Sequence, residues 1–352
     1  MTAPDTASAD SFAARVVRWQ CRHGRHGLPW QIERDPYRVW LSEIMLQQTQ
    51  VATVIPYFAR FVARFPDVAA LAAASEDEVL ALWSGLGYYS RARNLHAAAR
   101  MVIAQHDGCF PAMADALATL PGIGRSTAAA ISALAFGRPC AILDGNVKRV
   151  LARHGGVAGW PGERTVEATL WTLAEARMPQ RDVEPYTQGL MDLGALICTR
   201  TRPACDDCPV HADCVARQTD RIAELPAPRP RRALPERTVT MLLLRDRDEV
   251  MLEKRPPRGI WGGLWSLPEL APGNDPAAHC HMRYGFDIRT PRSLPPLRHS
   301  FTHFLLHIEP LEIRVAQRHD TPPGQHWLAL EDAVDAALPT PVRTLLARLG
   351  HC

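Results

Sequence analysis

The stretch LPGIGRSTAAAISALAFGRPCAILDGNVKRV, residues 120–150, restricts what this chain can fold into more than any other. It reads as a turn, a helix, a loop and the start of a second helix. Glycines at Gly122 and Gly124 let the backbone take positive φ and turn its N–H groups outward, which holds a phosphate without a charged side chain. Further on, Asp144 opens DGNVKRV in an N-cap position, with Lys148 and Arg149 in the turn that follows. A Gly-x-Gly turn before an Ala-rich helix is common, and an Asp before a helix usually only caps it. Together they set one carboxylate between two phosphate-binding devices.

The chain up to about residue 220 reads as helices throughout, with no strand ladder. Phe12, Val16 and Trp19 share one face of an opening helix. Asp35 and Pro36 supply an N-cap and a first-turn proline for the next, whose LSEIMLQQTQ leaves Glu43 among Trp40, Leu41, Ile44 and Met45. Ser75 and Glu78 form a capping box, and Gly85 and Gly87 end that helix ahead of YYSRARN. Further helical periods cover 91–105, 126–135 and 163–176. Residues 225–237, LPAPRPRRALPER, are rich in Pro and Arg without apolar periodicity and read as a linker. Beyond it, apolar runs at 238–244 and 250–253 flank the turn-like RDRDE and predict a hairpin, and a β-rich segment at 297–315 precedes a final helix from about 340 to 349. The reading is multidomain: an all-α domain at 1–224, a linker at 225–237 and an α+β domain at 238–352.

At 352 residues the chain has length for a core in each domain. No apolar run reaches the length that spans a bilayer, so no membrane association is expected. Residues 1–10, MTAPDTASAD, lack the basic start and apolar middle of an export signal, which points to a cytoplasmic, reducing location. A net charge of +3 says little about a polyanionic partner, because position matters more than sum. Cationic groups cluster at Arg91/Arg93, Lys148/Arg149/Arg153, Arg200/Arg202 and Arg229/Arg231/Arg232, and the only lysines are Lys148 and Lys254. Of nine cysteines, Cys198, Cys205, Cys208 and Cys214 are bunched as C-x6-C-x2-C-x5-C. In a reducing compartment that argues against disulfides, and four thiolates in one loop bind zinc or an iron–sulfur cluster.

The order of the motifs carries a resemblance. LPWQ at 28–31, LSEIMLQQTQV at 41–51, GLGYYSRARN at 85–94, LPGIGRSTA, LDGNVKRVLAR, LMDLGALICTR, the cysteine loop, RPPRGIWGGLW at 255–265 and LRHSFTHF at 297–304 follow as in the MutY-type adenine DNA glycosylases. Nearly the whole chain resembles that family. The resemblance implies an all-α helix-hairpin-helix glycosylase domain with a [4Fe–4S] loop, followed by an α+β MutT/Nudix-like domain. The cysteine spacing is similar to the cluster loop of the endonuclease III and MutY families, which makes the four cysteines ligands of one [4Fe–4S] cluster, with Arg200 and Arg202 in the loop it stiffens. The implied partner is double-stranded DNA with adenine opposite 8-oxoguanine or guanine, bound by a monomer associated with the nucleoid.

The implied chemistry suits the residues. Breaking an N-glycosidic bond needs a less basic leaving base and a stabilised sugar cation, work for two carboxylates of different pKa. Glu43, beside Trp30, Ile44 and Leu46, is the implied acid at N7 of adenine, with burial raising its pKa. Asp144, at a helix N-terminus near Lys148, is expected to stay ionised and face the oxocarbenium ion. By the same correspondence Trp30, Gln31, Leu46 and Gln188 line the adenine pocket. Gln48 and Tyr88 fill the stack left by the flipped base, with Thr49, Leu86 and Arg91 near the oxidised base. Gly122, Gly124, Arg125, Ser126, Asn146 and Lys148 complete the DNA-binding set. Lyase members of the superfamily carry a lysine where this chain has Ser126, so base removal without strand cleavage is expected.

The implied MutT/Nudix-like domain has no glutamate-rich REXXEE run in 270–285, so it reads as a reader of oxidised guanine through Phe301, Thr302 and His303 rather than a nucleotide pyrophosphatase. Thr302 replaces the family's serine, keeping the hydroxyl and adding a methyl. A glycosylase and lyase of the endonuclease III type would need a lysine in the hairpin and no second domain. A non-catalytic iron–sulfur DNA-binding regulator would not need Glu43 and Asp144 in these contexts.

Overall fold

The computed structural model describes residues 10–230, 233–317, 324–334 and 336–349. Arg231 and Arg232 of the linker, and residues 1–9 of the stretch read for an export signal, lie outside them. The chain packs as two compact units, 1–73 with 94–231 and 74–93 with 232–352.

Among its described residues the first unit holds helices and turns and no strand. The opening helix, Phe12–His23, starts where Ser11 accepts the Ala14 N–H at 3.2 Å, and it buries Val16 and Trp19. The Glu43 helix is Pro36–Leu46, capped by Asp35, which accepts the Arg38 N–H at 3.1 Å. The hairpin pair is Arg125–Phe136 and Gly145–His154. Ala128, Ala129, Ala130 and Ala133 are buried on the first of these, and such small side chains let Pro36–Leu46 and Val183–Asp192 pack directly against it. That close approach, built from alanines, is what brings the Glu43 helix alongside the hairpin. Val16, Leu143, Val147, Leu151, Leu170 and Leu190 join in one core. Helix Val183–Asp192 continues as one turn of π-helix, Leu193–Ile197, into the cysteine loop.

The second unit is built on an eight-stranded mixed sheet: β1 (Glu236–Asp246), β2 (Glu249–Lys254), β3 (Trp265–Ser266), β4 (Glu269–Leu270), β5 (Arg292–Ser293), β6 (Leu297–Ser300), β7 (Leu305–Arg314) and β8 (Gln325–Ala329). β1 and β2 form the expected hairpin, with Asp246 opposite Glu249 and Arg247 at φ 52° in the turn. The longest pairing is parallel, β1 on β7, from Glu236 opposite Leu305 to Arg245 opposite Arg314. Leu242, Leu244, Met251, Phe286, Ile313 and Trp327 form a core beneath this sheet. Helix Pro276–Tyr284, capped by Asp275, carries no carboxylate of its own.

Residues 74–93 belong to this unit. Ser75 and Glu78 form the expected capping box of helix Glu76–Trp83. Ser84 Oγ and Tyr89 Oη both donate to the Leu338 carbonyl, at 3.0 and 3.1 Å, and Arg343 donates to Ser84 Oγ at 2.8 Å. The linear division at the 225–237 linker gives no hint of this return, because these partners are backbone carbonyls far away in sequence. Among the described residues no helix is long and apolar enough to cross a membrane.

Candidate active site and cysteine recess

Glu43 lies on the Pro36–Leu46 helix between buried Ser42 and Ile44. Its side chain keeps partial solvent access, yet the dry surroundings push its pKa up to about 8, and the Asp144 carboxylate adds to the rise. Asp144 is the N-cap of Gly145–His154 and accepts the Val147 N–H at 2.7 Å. Burial moves Asp144 upward as well; the Val147 and Asn146 N–H groups and the charges of Arg149 and Lys148 oppose the shift. Burial thus works against the ionised Asp144 expected from the sequence, and four neighbouring groups work for it. The two carboxyls still differ in kind. Glu43 has only destabilising influences on its charge, while Asp144 has four stabilising ones.

Of the residues of the implied adenine pocket, Trp30 and Gln188 are buried and Gln31 and Leu46 half-buried. Trp30 is buried edge-on to Phe58, with centroids 5.3 Å apart. Gln31 Oε1 accepts the Leu28 N–H at 3.1 Å, and Leu46 is half-buried. Gln188 is buried and donates Nε2 to Asp192 Oδ1 at 2.8 Å. Asp192 is fully buried and also accepts from the Arg25 backbone at 2.8 Å and from its guanidinium at 2.6 and 2.7 Å. Because a carboxylate only accepts, this pairing turns the Gln188 carbonyl oxygen away from Asp192. Sequence reasoning missed Arg25 and Asp192. The available signal was a carboxylate in the middle of the apolar run LMDLGAL, a position that needs a cation.

The hairpin turn differs from its expectation at one glycine. Gly122 sits at φ 79°, and a Cβ there would lie 2.8 Å from Asn94 Cβ. Gly124 has φ −89° as the extended N-cap of Arg125–Phe136, which any residue could adopt; a Cβ there would meet nothing within 4 Å. Its role is open space before a helix N-terminus, not backbone freedom. Ser126 Oγ accepts the Leu143 N–H at 2.9 Å. Gln48 follows the Glu43 helix at φ 58°, exposed, and Thr49 turns beside it with its N–H on the Leu46 carbonyl at 3.2 Å. A left-handed non-glycine is held there only by its surroundings.

Several cations read as available for phosphate are committed within the protein. Arg149 donates to the carbonyls of Cys198 and Gly194 and to Asn146 Oδ1, at 2.7, 2.6 and 2.9 Å. Arg153 is buried and donates to the carbonyls of Leu225, Thr199 and Arg200, at 2.8, 2.7 and 3.0 Å. Asn146 packs so closely on the π-turn that a Cβ on Gly194 would lie 2.6 Å from its own. Lys148 pairs with Glu167 at 2.6 Å and Arg125 with Glu175 at 2.5 Å.

In the second unit, Tyr88 is 44% exposed at φ 49°. Leu86 and Arg91 are buried beneath its loop: Arg91 donates to the Leu86 and Gly87 carbonyls at 3.3 and 3.2 Å and lies under the Tyr88 ring. Burial lowers the Arg91 pKa to about 10. Arg91 thus supports the Tyr88 loop from inside. Thr302 and His303 are exposed between β6 and β7, while Phe301 stacks on buried Phe304 with centroids 4.5 Å apart. Trp261, at φ 56°, and His299 complete that aromatic cluster.

Cys198, Cys205, Cys208 and Cys214 line one recess, with Arg153, His154 and Val210 among its other walls. Burial raises the thiol pKa values of Cys205, Cys208 and Cys214, to about 12 for Cys208, and the thiolates also repel one another. Among the described residues no three His, Cys, Asp or Glu side chains gather as a single-ion site would. Four thiols lining one recess have the donor chemistry of a soft metal centre.

Comparison with known proteins finds two family matches along the chain. The HhH-GPD superfamily base excision DNA repair protein profile matches residues 41–176, and the NUDIX domain profile matches 239–348. The adenine DNA glycosylase of Buchnera aphidicola subsp. Acyrthosiphon pisum (strain APS) is 36% identical, over 95% of this chain and 96% of its own. The chain belongs to the adenine DNA glycosylase family. The Mus musculus member of this glycosylase family is 33% identical, over 96% of this chain and 78% of its own. A solved thermostable thymine-DNA glycosylase is similar with a TM-score of 0.52 at 29% identity, covering 59% of this chain and 95% of that one. As an adenine DNA glycosylase family member the chain is an enzyme of base excision repair, a hydrolase of N-glycosyl bonds, with a helix-hairpin-helix part and a Nudix-like part.

Proposed function

We propose that this enzyme removes adenine mispaired with 8-oxoguanine or guanine in double-stranded DNA and leaves the strand intact. The observation that carries the reading is the unequal pair: a Glu43 carboxyl that keeps its proton to about pH 8, beside an Asp144 carboxylate supported by two backbone N–H groups and two cations. Glu43 donates its proton to N7 of the flipped adenine, so the base leaves neutral. As the C1′–N9 bond breaks, the sugar gains positive charge, which the ionised Asp144 stabilises in a site of low dielectric. Trp30 and Leu46 give the adenine an apolar wall, and Gln188, its amide fixed by Asp192, faces the base with an acceptor. Water then adds to the sugar cation and gives its proton to the Glu43 carboxylate, which completes the hydrolysis and restores the acid.

Cys198, Cys205, Cys208 and Cys214 are the residues that would hold one [4Fe–4S] cluster; when bound, it supplies tethering of the 198–214 loop and no chemistry at the adenine. Thr302 and His303 are placed on an exposed loop braced by Phe301 and Phe304, which suits reading the base opposite adenine. The test is purified protein with duplexes carrying adenine opposite 8-oxoguanine, guanine or thymine, scored before and after alkali. Adenine loss from the first two, with strand breaks only after alkali, is the expected result. Strand breaks before alkali, or no preference for either guanine partner, would overturn the proposal.

A further inference from the structure

Two of the cations assigned above to DNA are held, in the free protein, by one helix. Glu167, Trp171 and Glu175 recur at every fourth position of helix Arg164–Ala176, so they stand in a row on its surface. At one end Glu167 Oε1 accepts from Lys148 Nζ at 2.6 Å. At the other, Glu175 Oε1 accepts from Arg125 at 2.5 Å, and the same guanidinium lies 3.8 Å from the centroid of the Trp171 ring. Arg125 is the first residue of one hairpin helix and Lys148 lies in the first turns of the other. The row thus neutralises the side-chain cations at both helix starts where a DNA backbone would approach.

These pairs are exposed enough to yield. Side-chain exposure is 62% and 55% for Arg125 and Glu175, and 22% and 42% for Lys148 and Glu167. Exposed ion pairs are weak, and a duplex presents a far denser line of negative charge, so phosphates displace the carboxylates and are not excluded by them. Each displacement subtracts from the phosphate term of binding, which is the same for every sequence.

We propose that the Glu167, Trp171 and Glu175 row is an electrostatic gate, which competes with DNA phosphates for Arg125 and Lys148 and so shortens the enzyme's stay on undamaged duplex. The inference rests on the reading of Arg125 and Lys148 as DNA contacts. Because the subtraction is independent of sequence, the gate weakens binding to lesion and undamaged duplex alike and leaves base removal at saturating DNA unchanged.

The test is a cycle on the full chain: Glu167→Gln with Glu175→Gln, Arg125→Ala with Lys148→Ala, and all four together, each measured for affinity to an undamaged duplex across a salt series. The Glu substitutions are nearly isosteric at half-exposed or exposed positions, and thermal melts check that every variant folds. The gate expects the Glu variant to bind undamaged duplex about three- to tenfold more tightly at low salt, with the gain shrinking as salt rises. It also expects the cation variant to bind more weakly, and the Glu substitutions to add nothing once both cations are gone. Unchanged affinity in the Glu variant, with weakening in the cation variant, overturns the gate and leaves the DNA contacts standing. A gain that persists in the fourfold variant is a general charge effect and also overturns it. Unchanged affinity in the cation variant overturns the contact assignment on which the gate depends.

Discussion

The Ser126 hydroxyl accepts the Leu143 N–H at 2.9 Å, which ties the first turn of one hairpin helix to the residue just before Asp144. Where the resemblance implies an amine nucleophile in lyase members, this chain has a strut for the loop before Asp144. Borohydride is therefore expected to trap little covalent enzyme–DNA complex, since the only lysine in the helical part, Lys148, is held in an ion pair with Glu167. Ser126→Ala leaves the Leu143 N–H without its partner, a loss of about 1 kcal/mol in stability with a slower adenine release. Efficient trapping by the wild type, abolished in Ser126→Ala, would contradict the assignment.

Glu43 sets a pH dependence for both activity and stability. Only the protonated acid can serve N7 and only an ionised Asp144 can stabilise the sugar, so single-turnover adenine release is expected to fall above about pH 8 as Glu43 ionises and to fall again on the acid side as Asp144 takes up a proton. For stability, the folded pKa of about 8 lies above the ordinary 4.5, so between these values the folded state binds more protons than the unfolded one. Unfolding free energy then decreases as pH rises through that window. Glu43→Gln removes both effects: adenine release drops by about 100-fold or more, mismatch binding persists, and the variant melts above the wild type at pH 8 but not at pH 4.5. Melting curves at the two pH values, with wild-type and variant release rates, check this.

Asp144 does two jobs that substitution can separate. It caps Gly145–His154 through the Val147 N–H, and in the proposed reaction its charge faces the sugar. Asn caps a helix about as well as Asp, whereas Ala costs about 1 kcal/mol. Asp144→Asn is thus expected to melt near the wild type with adenine release lowered by about 100-fold or more, and Asp144→Ala to lose both. Near-normal release by Asp144→Asn would show that its charge is not used.

Preference for 8-oxoguanine over guanine is expected to reside in the exposed Thr302 and His303. The two bases differ by few groups, and one or two hydrogen bonds supply roughly 1 to 3 kcal/mol, about one to two decades. Thr302→Ala with His303→Ala should reduce that preference by about this factor while adenine release at saturating DNA stays within a few-fold. Point substitutions test this better than truncation at the linker, because Ser84 and Tyr89 take their partner from Leu338. Full preference in the double variant would assign the reading of the oxidised base to other residues.

What the sequence determined by itself was local or linear: caps at Asp35, Ser75 and Asp144, the hairpin turn at Gly122, the β1–β2 hairpin, the change of period after the linker and the crowding of four cysteines. Each depends on residues a few positions apart, and backbone propensity and side-chain spacing act over that range. Tertiary structure alone decided which charges remain available. Arg149 and Arg153 look like surface cations in DGNVKRVLAR, yet each satisfies carbonyls about 45 to 70 residues away, and Arg125 and Lys148 meet carboxylates on a third helix. It also decided that Asp192 fixes Gln188, that residues 74–93 pack with the C-terminal unit, and that Asp144 is desolvated beside Glu43. Burial and electrostatic pairing depend on what the rest of the chain brings within a few ångströms, and no pattern in a local window contains that information.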